Sequence, residues 1–183
     1  STVSLDTLHT DRFKALTRFG GLDVVLRGLE LAASAGFDSV KVDTVVIRAV
    51  NDDELVPILE LGQRLGAEVR FIEYMDVGGA TRWSMQDVVS RQEMLRRLST
   101  HFGPISAVDE DTAAPADRFT LPDGTVFGII SSTTEPFCRQ CDRSRVTADG
   151  LWYRCLYART GTDLRGPLRS GVGADGLRDL IAS

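Results

Sequence analysis

Two histidines and three cysteines are all the imidazole and thiol that this chain of 183 residues contains, and both scarcities exclude chemistry. Three cysteines are odd in number and too few for a disulfide scaffold. A structural zinc site wants four N or S ligands, and His9 and His101 lie far along the sequence from the cysteines, which leaves zinc one ligand short. Long apolar runs are also missing. The longest is a handful of residues around Val45-Val46-Ile47, too short for a bilayer, and no basic-then-apolar leader opens the chain. Nor is there a basic excess: a net charge of −5 argues against a general binder of nucleic acid or of anionic membranes. With 43% hydrophobic and 26% charged residues the composition is that of an ordinary globular protein, with length for one good core or one core plus a smaller module. The expected address is cytoplasmic. An initiator Met is absent as well, and apolar–polar alternation starts at once in Ser1-Thr2-Val3-Ser4-Leu5-Asp6, which reads as a piece of a longer protein opening inside a strand.

What is present begins with a strand–helix rhythm. Leu22, Val25, Leu26 and Leu29 form a helical stripe running to a stop at Gly36, and a strand follows over Ser39 to Arg48. Asn51-Asp52-Asp53-Glu54 reads as an N-cap with a carboxylate three residues on, opening a helix through Leu55, Ile58, Leu59 and Leu65 that stops at Gly66. The next strand is Glu68 to Tyr74. Helix, glycine and strand recur at about thirty residues, the length of one βα unit of a parallel sheet or barrel. Three such strands are expected, at Val3–Asp6, Val40–Ile47 and Val69–Tyr74. After a loop-like stretch, Ser90-Arg91-Gln92-Glu93 is a capping box for a helix through Met94, Leu95, Leu98 and Phe102. Beyond it the pattern turns to hairpins, one around Asp123-Gly124 and a second around Asp149-Gly150, with a short helix from Leu177. A domain boundary is expected near residues 76–105.

The residues that carry chemistry cluster late. Two residues separate Cys138 from Cys141, and Cys155 follows after thirteen more. A lone Cys-x-x-Cys is often a redox dithiol or half a zinc ribbon, whereas three thiolates suit a [4Fe-4S] cluster with one iron left open for a non-protein ligand. Around them, from Phe137 to Ser170, seven arginines stand against three acids, a local charge of +4 that calls for an anion. Arg143 and Arg145 are two apart on an extended segment, so their guanidinium forks can point the same way and chelate phosphate oxygens. A solvated arginine face is the plainer alternative.

In the first half the unusual residues are Lys41 and Asp43, on one face of an otherwise valine-rich strand. Central parallel strands are usually apolar on both faces, and inward charges towards the C-terminal mouth of a barrel build a site. Arg70 falls on one face with Ile72 and Tyr74 of the next strand. The alternative is a structural pair in which Lys41 and Asp43 neutralise each other.

In register, Val3-Ser4-Leu5-Asp6-Thr7-Leu8, Val40-Lys41-Val42-Asp43-Thr44-Val45-Val46, Asn51-Asp52-Asp53-Glu54, Arg70-Phe71-Ile72-Glu73-Tyr74-Met75-Asp76-Val77-Gly78 and Pro136-Phe137-Cys138-Arg139-Gln140-Cys141-Asp142-Arg143-Ser144-Arg145-Val146-Thr147-Ala148-Asp149-Gly150 resemble the radical S-adenosylmethionine GTP 3',8-cyclases of molybdenum cofactor biosynthesis. The resemblance runs from Ser4 to about Arg169. It implies an α/β fold: the C-terminal half of a partial (βα)6, TIM-like barrel (last three strands, 1–76), a connecting loop and helix (77–105), a mostly antiparallel α+β domain for a cluster and GTP (106–170), and a tail (171–183). By motif, Cys138, Cys141 and Cys155 would ligate a substrate-binding [4Fe-4S] cluster. Lys41, Arg70, Arg143, Ser144 and Arg145 would contact GTP, and Ser4 and Met75 would lie against S-adenosylmethionine. In such enzymes a first [4Fe-4S] cluster cleaves S-adenosylmethionine to a 5'-deoxyadenosyl radical, which abstracts the ribose 3' hydrogen of GTP so that C3' bonds to guanine C8. The Cys-x3-Cys-x2-Cys motif of that first cluster is absent here, as is the Gly-Gly tail, so the chain by itself is expected to lack the radical chemistry. The implied partners are GTP, S-adenosylmethionine, the N-terminal half of the barrel, the next pathway enzyme making cyclic pyranopterin monophosphate, and a second copy of the chain as a homodimer, with neither nucleic acid nor membrane. Two other readings compete: a non-catalytic binding module stabilised by zinc, and a different radical enzyme with an auxiliary cluster domain.

Overall fold

In two neighbouring strands every second residue is buried, and that alternation decides the architecture. In β2 (Lys41–Val46) the buried set is Val42, Thr44 and Val46, and in β3 (Glu68–Glu73) it is Val69, Phe71 and Glu73. Side chains alternate across a strand, so both strands bury one face and leave Lys41, Asp43, Glu68 and Arg70 on the other. A computed structural model describes residues 1–76, 82–109, 114–135 and 143–182. The chain forms two compact units, Ser1–Met75 with Arg82–Gln140, and Asp76–Thr81 with Cys141–Ser183.

In the first unit β1 (Thr2–Ser4), β2, β3 and β6 (Val126–Ile130) run parallel, and β5 (Asp117–Thr120) and β4 (Ser106–Ala107) continue the sheet antiparallel, in the order β1-β2-β3-β6-β5-β4. The chain is thus mixed α/β, with the three expected parallel strands in place. The hairpin around Asp123-Gly124 forms as expected. Its second strand, β6, pairs with β3, so the hairpin and the parallel strands share one sheet. Helices α1 (Thr10–Thr17), α2 (Leu22–Ser34), α3 (Leu55–Leu65) and α4 (Arg91–Phe102) accompany it. Leu29, Ile58, Leu59, Met94 and Leu98 join Val42, Val69, Phe71, Phe127 and Ile129 in one core, each large side chain worth about 1.5–3 kcal/mol when fully buried. Phe71 meets Phe127 edge-on at 6.4 Å between centroids, tying β3 to β6. At Gly62 of α3, an added Cβ would lie 2.4 Å from Val69 Cγ2, so this glycine sets how closely the helix approaches β3.

Two caps differ from the sequence reading. Helix α3 has Glu54 as its N-cap, without a side-chain bond, and not Asn51. The Asn51 amide is drawn into the preceding loop, where it donates to the Asp6 and Val45 carbonyls at 2.6 and 2.8 Å and accepts from the Ile47 N–H at 2.7 Å. Burial favours the bonds that satisfy three backbone groups over a cap that water can replace. At α4 the Ser90 Oγ does accept from the Glu93 N–H at 3.3 Å, but the Glu93 carboxylate turns to Arg48 and Arg97 instead of back to the cap.

The second unit is a small antiparallel sheet, β7 (Arg145–Val146), β8 (Leu151–Tyr153) and β9 (Thr162–Asp163), followed by α5 (Arg165–Arg169) and α6 (Ala174–Ala182). The expected Asp149-Gly150 turn joins β7 to β8, with Gly150 at φ 86°, a left-handed conformation that glycine adopts freely. Gly161 lies flat on the Tyr153 ring, where a Cβ would come within 2.8 Å of it. The Asp163 carboxylate accepts from the Arg165 and Gly166 N–H groups and so begins α5. Among the described residues no helix is long and apolar enough to cross a membrane.

Candidate functional site

The uncovered face of the first unit's sheet gathers the charges that the sequence singled out. Register sets Ser4 beside Asp43, Asp43 beside Arg70 and Arg70 beside Gly128, one row across four parallel strands. Lys41 lies one step back on the same face, between Thr2 and Glu68. With strands about 4.8 Å apart, Ser4 and Arg70 are roughly 10 Å apart along the row. Arg70 Nε donates to Glu68 at 2.8 Å, and Arg118 of β5 meets the other Glu68 oxygen at 3.2 Å. Gly128 leaves the space into which the Arg70 stem extends, since a Cβ there would be 3.3 Å from Arg70 Cγ. Among the described residues the Asp43 Oδ1 is buried with no hydrogen-bond partner. Burial pushes its carboxyl above the ordinary range, opposed by the charges of Arg70 and Lys41 and reinforced by Glu68. Met75 falls elsewhere, two residues past the end of β3.

At the C-terminal ends of the strands the loops are stapled by buried carboxylates to which the sequence reading gave no such role. Glu54, 1% exposed, accepts from Thr7 Oγ1 at 2.6 Å, the Leu8 N–H at 2.6 Å and Arg12 at 2.7 Å. Asp6, raised in pKa by burial against the opposing bond, accepts from the Val45 N–H at 2.8 Å. Glu73 is fully buried and accepts from the N–H groups of Arg91, Thr133 and Thr134 at 2.8, 3.0 and 2.7 Å and from Thr134 Oγ1 at 2.5 Å. Ser132 and Thr133 hydroxyls donate to the Glu73 and Tyr74 carbonyls, and Arg91 pairs with Glu135. The chain is therefore fixed to the end of β3 up to Glu135, one residue before the segment that carries Cys138 and Cys141. Those two cysteines lie outside the described residues. The only sequence signal for Glu73 was a carboxylate at a position that strand alternation assigns to the core.

In the second unit Arg143, Ser144 and Arg145 are exposed at the start of β7. Arg145 pairs in register with Tyr153 and Val146 with Trp152, with Arg143 two residues before β7 and Cys155 two residues after β8. Cys155 is an exposed free thiol whose sulfur accepts from the Tyr157 N–H at 3.4 Å. It thus emerges at the end of the hairpin where the chain arrives from residue 142. Arg154 lies over the Trp152 ring at 5.6 Å. Among the described residues no group of three His, Cys, Asp or Glu is assembled to hold a metal. A cleft of about 300 Å³ between α4 and the β4–β5 strands is lined by Arg91, Leu95, Arg118 and neighbours, and does not include Lys41, Asp43 or Arg70.

A mixed sheet with one charged face, followed by a cysteine- and arginine-bearing hairpin, is a recognisable combination. The family described as Molybdenum Cofactor Synthesis C matches residues 67–183, and the chain belongs to it. Relatives named GTP 3',8-cyclase 3 from Mycobacterium bovis and GTP 3',8-cyclase 1 from Mycobacterium tuberculosis are 54% and 52% identical over 98% and 100% of this chain, covering 48% and 51% of their own length. A GTP 3',8-cyclase from Corynebacterium glutamicum is 40% identical over 98% of this chain and 49% of its own. The chain spans about half the length of the curated relatives it matches. A solved structure of TYW1 with a lysine-pyruvate adduct bound overlaps 60% of this chain and 36% of its own at 19% identity, with a TM-score of 0.44, a likeness too slight to bear on function.

Proposed function

We propose that this chain is the GTP-holding part of a GTP 3',8-cyclase, an enzyme of molybdenum cofactor biosynthesis. The observation that carries the reading is the register that brings Lys41 and Arg70 to one uncovered face around Asp43, in a chain whose relatives at 52–54% identity bear that activity in their names. Lys41 and Arg70 supply point charge and a guanidinium fork to the nucleotide phosphates, and Arg143, Ser144 and Arg145 present further donors on the second unit. Ser4, in the same row as Asp43, and Met75, past the end of β3, face S-adenosylmethionine in this reading. The sheet of the first unit is the C-terminal part of a partial (βα)6 barrel.

The donor set fits a [4Fe-4S] cluster. Cys155 is a free, exposed thiol at the hairpin end to which residues 138–142 are joined, and three thiolates leave one iron without a protein ligand. Cys138, Cys141 and Cys155 would hold it, and when bound it offers that open iron to the guanine base. Arg143 and Arg145 add positive charge on the strand that follows Cys141 in the sequence. The radical-generating cluster needs three further cysteines that this sequence does not contain, so binding and catalysis separate in these 183 residues.

The test is anaerobic reconstitution with iron and sulfide. Wild-type chain loads one cluster, and Cys138→Ser, Cys141→Ser and Cys155→Ser each lower the iron content. The same protein binds GTP but releases no 5'-deoxyadenosine from S-adenosylmethionine under strong reductant. Full iron content in all three variants, or a colourless zinc-loaded protein, overturns the cluster; cofactor cleavage by this chain alone overturns the assignment of its cysteines.

A further inference from the structure

Between the two cations of the charged face stands one acid that nothing on the sheet satisfies. Asp43 is flanked in register by Arg70 on β3 and by the uncharged Ser4 on β1, and Lys41 precedes it by two residues on the same face of β2. The strand spacing puts the Arg70 Cα about 5 Å from that of Asp43, and the rise puts Lys41 about 7 Å away. Lys41 and Arg70 stand on one diagonal of this group of four and Asp43 and Glu68 on the other, so an anion that touches both cations lies beside both acids, and of the two Asp43 is the one without a bonded cation. Arg70 and Lys41 oppose the effect of its burial by charge alone, with no hydrogen bond to its buried oxygen among the described residues. Arg70 Nε is committed to Glu68, Arg118 of β5 also turns to Glu68, and Asp6 of the β1 loop is bonded to the Val45 N–H. Among the described residues Asp43 Oδ1 is buried without a donor, an arrangement rare enough in native proteins to call for a partner from outside the sheet.

We propose that Asp43 takes up a proton as the phosphate chain of a nucleoside triphosphate settles on this face, so that its neutral carboxyl donates to a phosphate oxygen where the ionised form would repel it. The proposal rests on the reading that Lys41 and Arg70 hold the nucleotide. The proton comes from solvent, one per nucleotide bound, and no covalent bond to the ligand changes. Burial already disfavours the ionised form of Asp43, and several like charges arriving within a few ångströms disfavour it further. A protonated carboxyl is both donor and acceptor, so it can join the phosphate contacts of its two cationic neighbours. Affinity for the triphosphate then rises as pH falls through the bound-state pKa of Asp43, by up to tenfold per pH unit.

GTP titration calorimetry on the full chain, near pH 7 in two buffers of different ionisation enthalpy, measures the proton uptake directly. Asp43→Asn is the same shape with no proton to gain. It is expected to show less uptake than wild type by a resolvable fraction of a proton, to bind GTP at least as tightly, and to lose the part of the pH slope that wild type has in excess of the nucleotide's own phosphate. Asp43→Ser repeats the comparison should the amide disturb folding. Equal uptake and equal pH slopes in wild type and variants overturn the proposal, as does a tenfold or greater loss of affinity in Asp43→Asn, which would make the ionised carboxylate an acceptor for the ligand. Failure of the underlying reading looks different: wild-type GTP binding that Lys41→Ala and Arg70→Ala leave unchanged, or no binding at all, removes the nucleotide from this face and the proposal with it.

Discussion

Replacing Glu73 by glutamine changes one atom and should cost more than most surface deletions. Its carboxylate is fully buried and every partner donates: three backbone N–H groups at 2.7–3.0 Å and the Thr134 hydroxyl at 2.5 Å. The glutamine oxygen can serve two of these donors, whereas its NH2 would point at N–H groups that have nothing to accept with. Only the Thr134 hydroxyl can turn to accept from it. At least one backbone N–H is then buried without a partner, at about 1–3 kcal/mol, and the remaining bonds lose their charge assistance, so a total of about 2–4 kcal/mol is expected. Glu73→Ala removes all acceptors and should approach the roughly 3–5 kcal/mol of a broken buried ionic network. Urea denaturation gives the stability difference, and amide exchange at Arg91, Thr133 and Thr134 should show these protons exchanging faster than those of α3. A Glu73→Gln protein within about 0.5 kcal/mol of wild type, with those amides still protected, would refute the view that the carboxylate fixes this loop.

Gly62→Ala should destabilise by about 1–3 kcal/mol in the same assay, since the new Cβ would lie 2.4 Å from Val69 Cγ2 and 2.9 Å from the Ala67 carbonyl oxygen, and an unchanged midpoint would mean that α3 moves freely off β3. Arg48, with help from Arg97, lowers the Glu93 carboxyl from 4.5 to about 2. A depressed folded-state pKa gives stability that is complete above about 4.5 and lost as pH falls towards 2, on the order of 1 kcal/mol after solvent screening. Glu93→Gln should flatten that part of an acid-unfolding curve, and an identical curve would remove the pair from the account. Arg143→Ala or Arg145→Ala should weaken GTP binding by about 1.5–3 kcal/mol with little recovery in the lysine variants, and unchanged affinity in both alanine variants would take these residues out of the site.

What the sequence determined by itself is whatever short spacings encode. The strand–helix–glycine rhythm through Gly66, the Asp123-Gly124 and Asp149-Gly150 hairpins and the Ser90 cap depend on short-range patterns, and these elements form where they were expected. The molybdenum cofactor synthesis family was legible for the same reason, because its motifs are contiguous. Non-local pairing was decided only in three dimensions. Asn51 has the local signature of a helix cap, yet three backbone groups of a buried loop, one of them 45 residues away, claim its amide. The hairpin at Asp117–Ile130 looked like the start of a new domain, because no local pattern says that β6 will pair with β3 some sixty residues earlier. For Lys41 and Asp43 the sequence left a mutual pair as the alternative to a site, and only the register set Arg70 beside Asp43 and gave Arg70 to Glu68, with the Asp43 oxygen buried and unbonded among the described residues. Sequence fixes which side chains share a face of one strand, but which strands lie side by side, and at what offset, is settled by the burial of whole elements, and it is that offset that turns separate charged residues into one row.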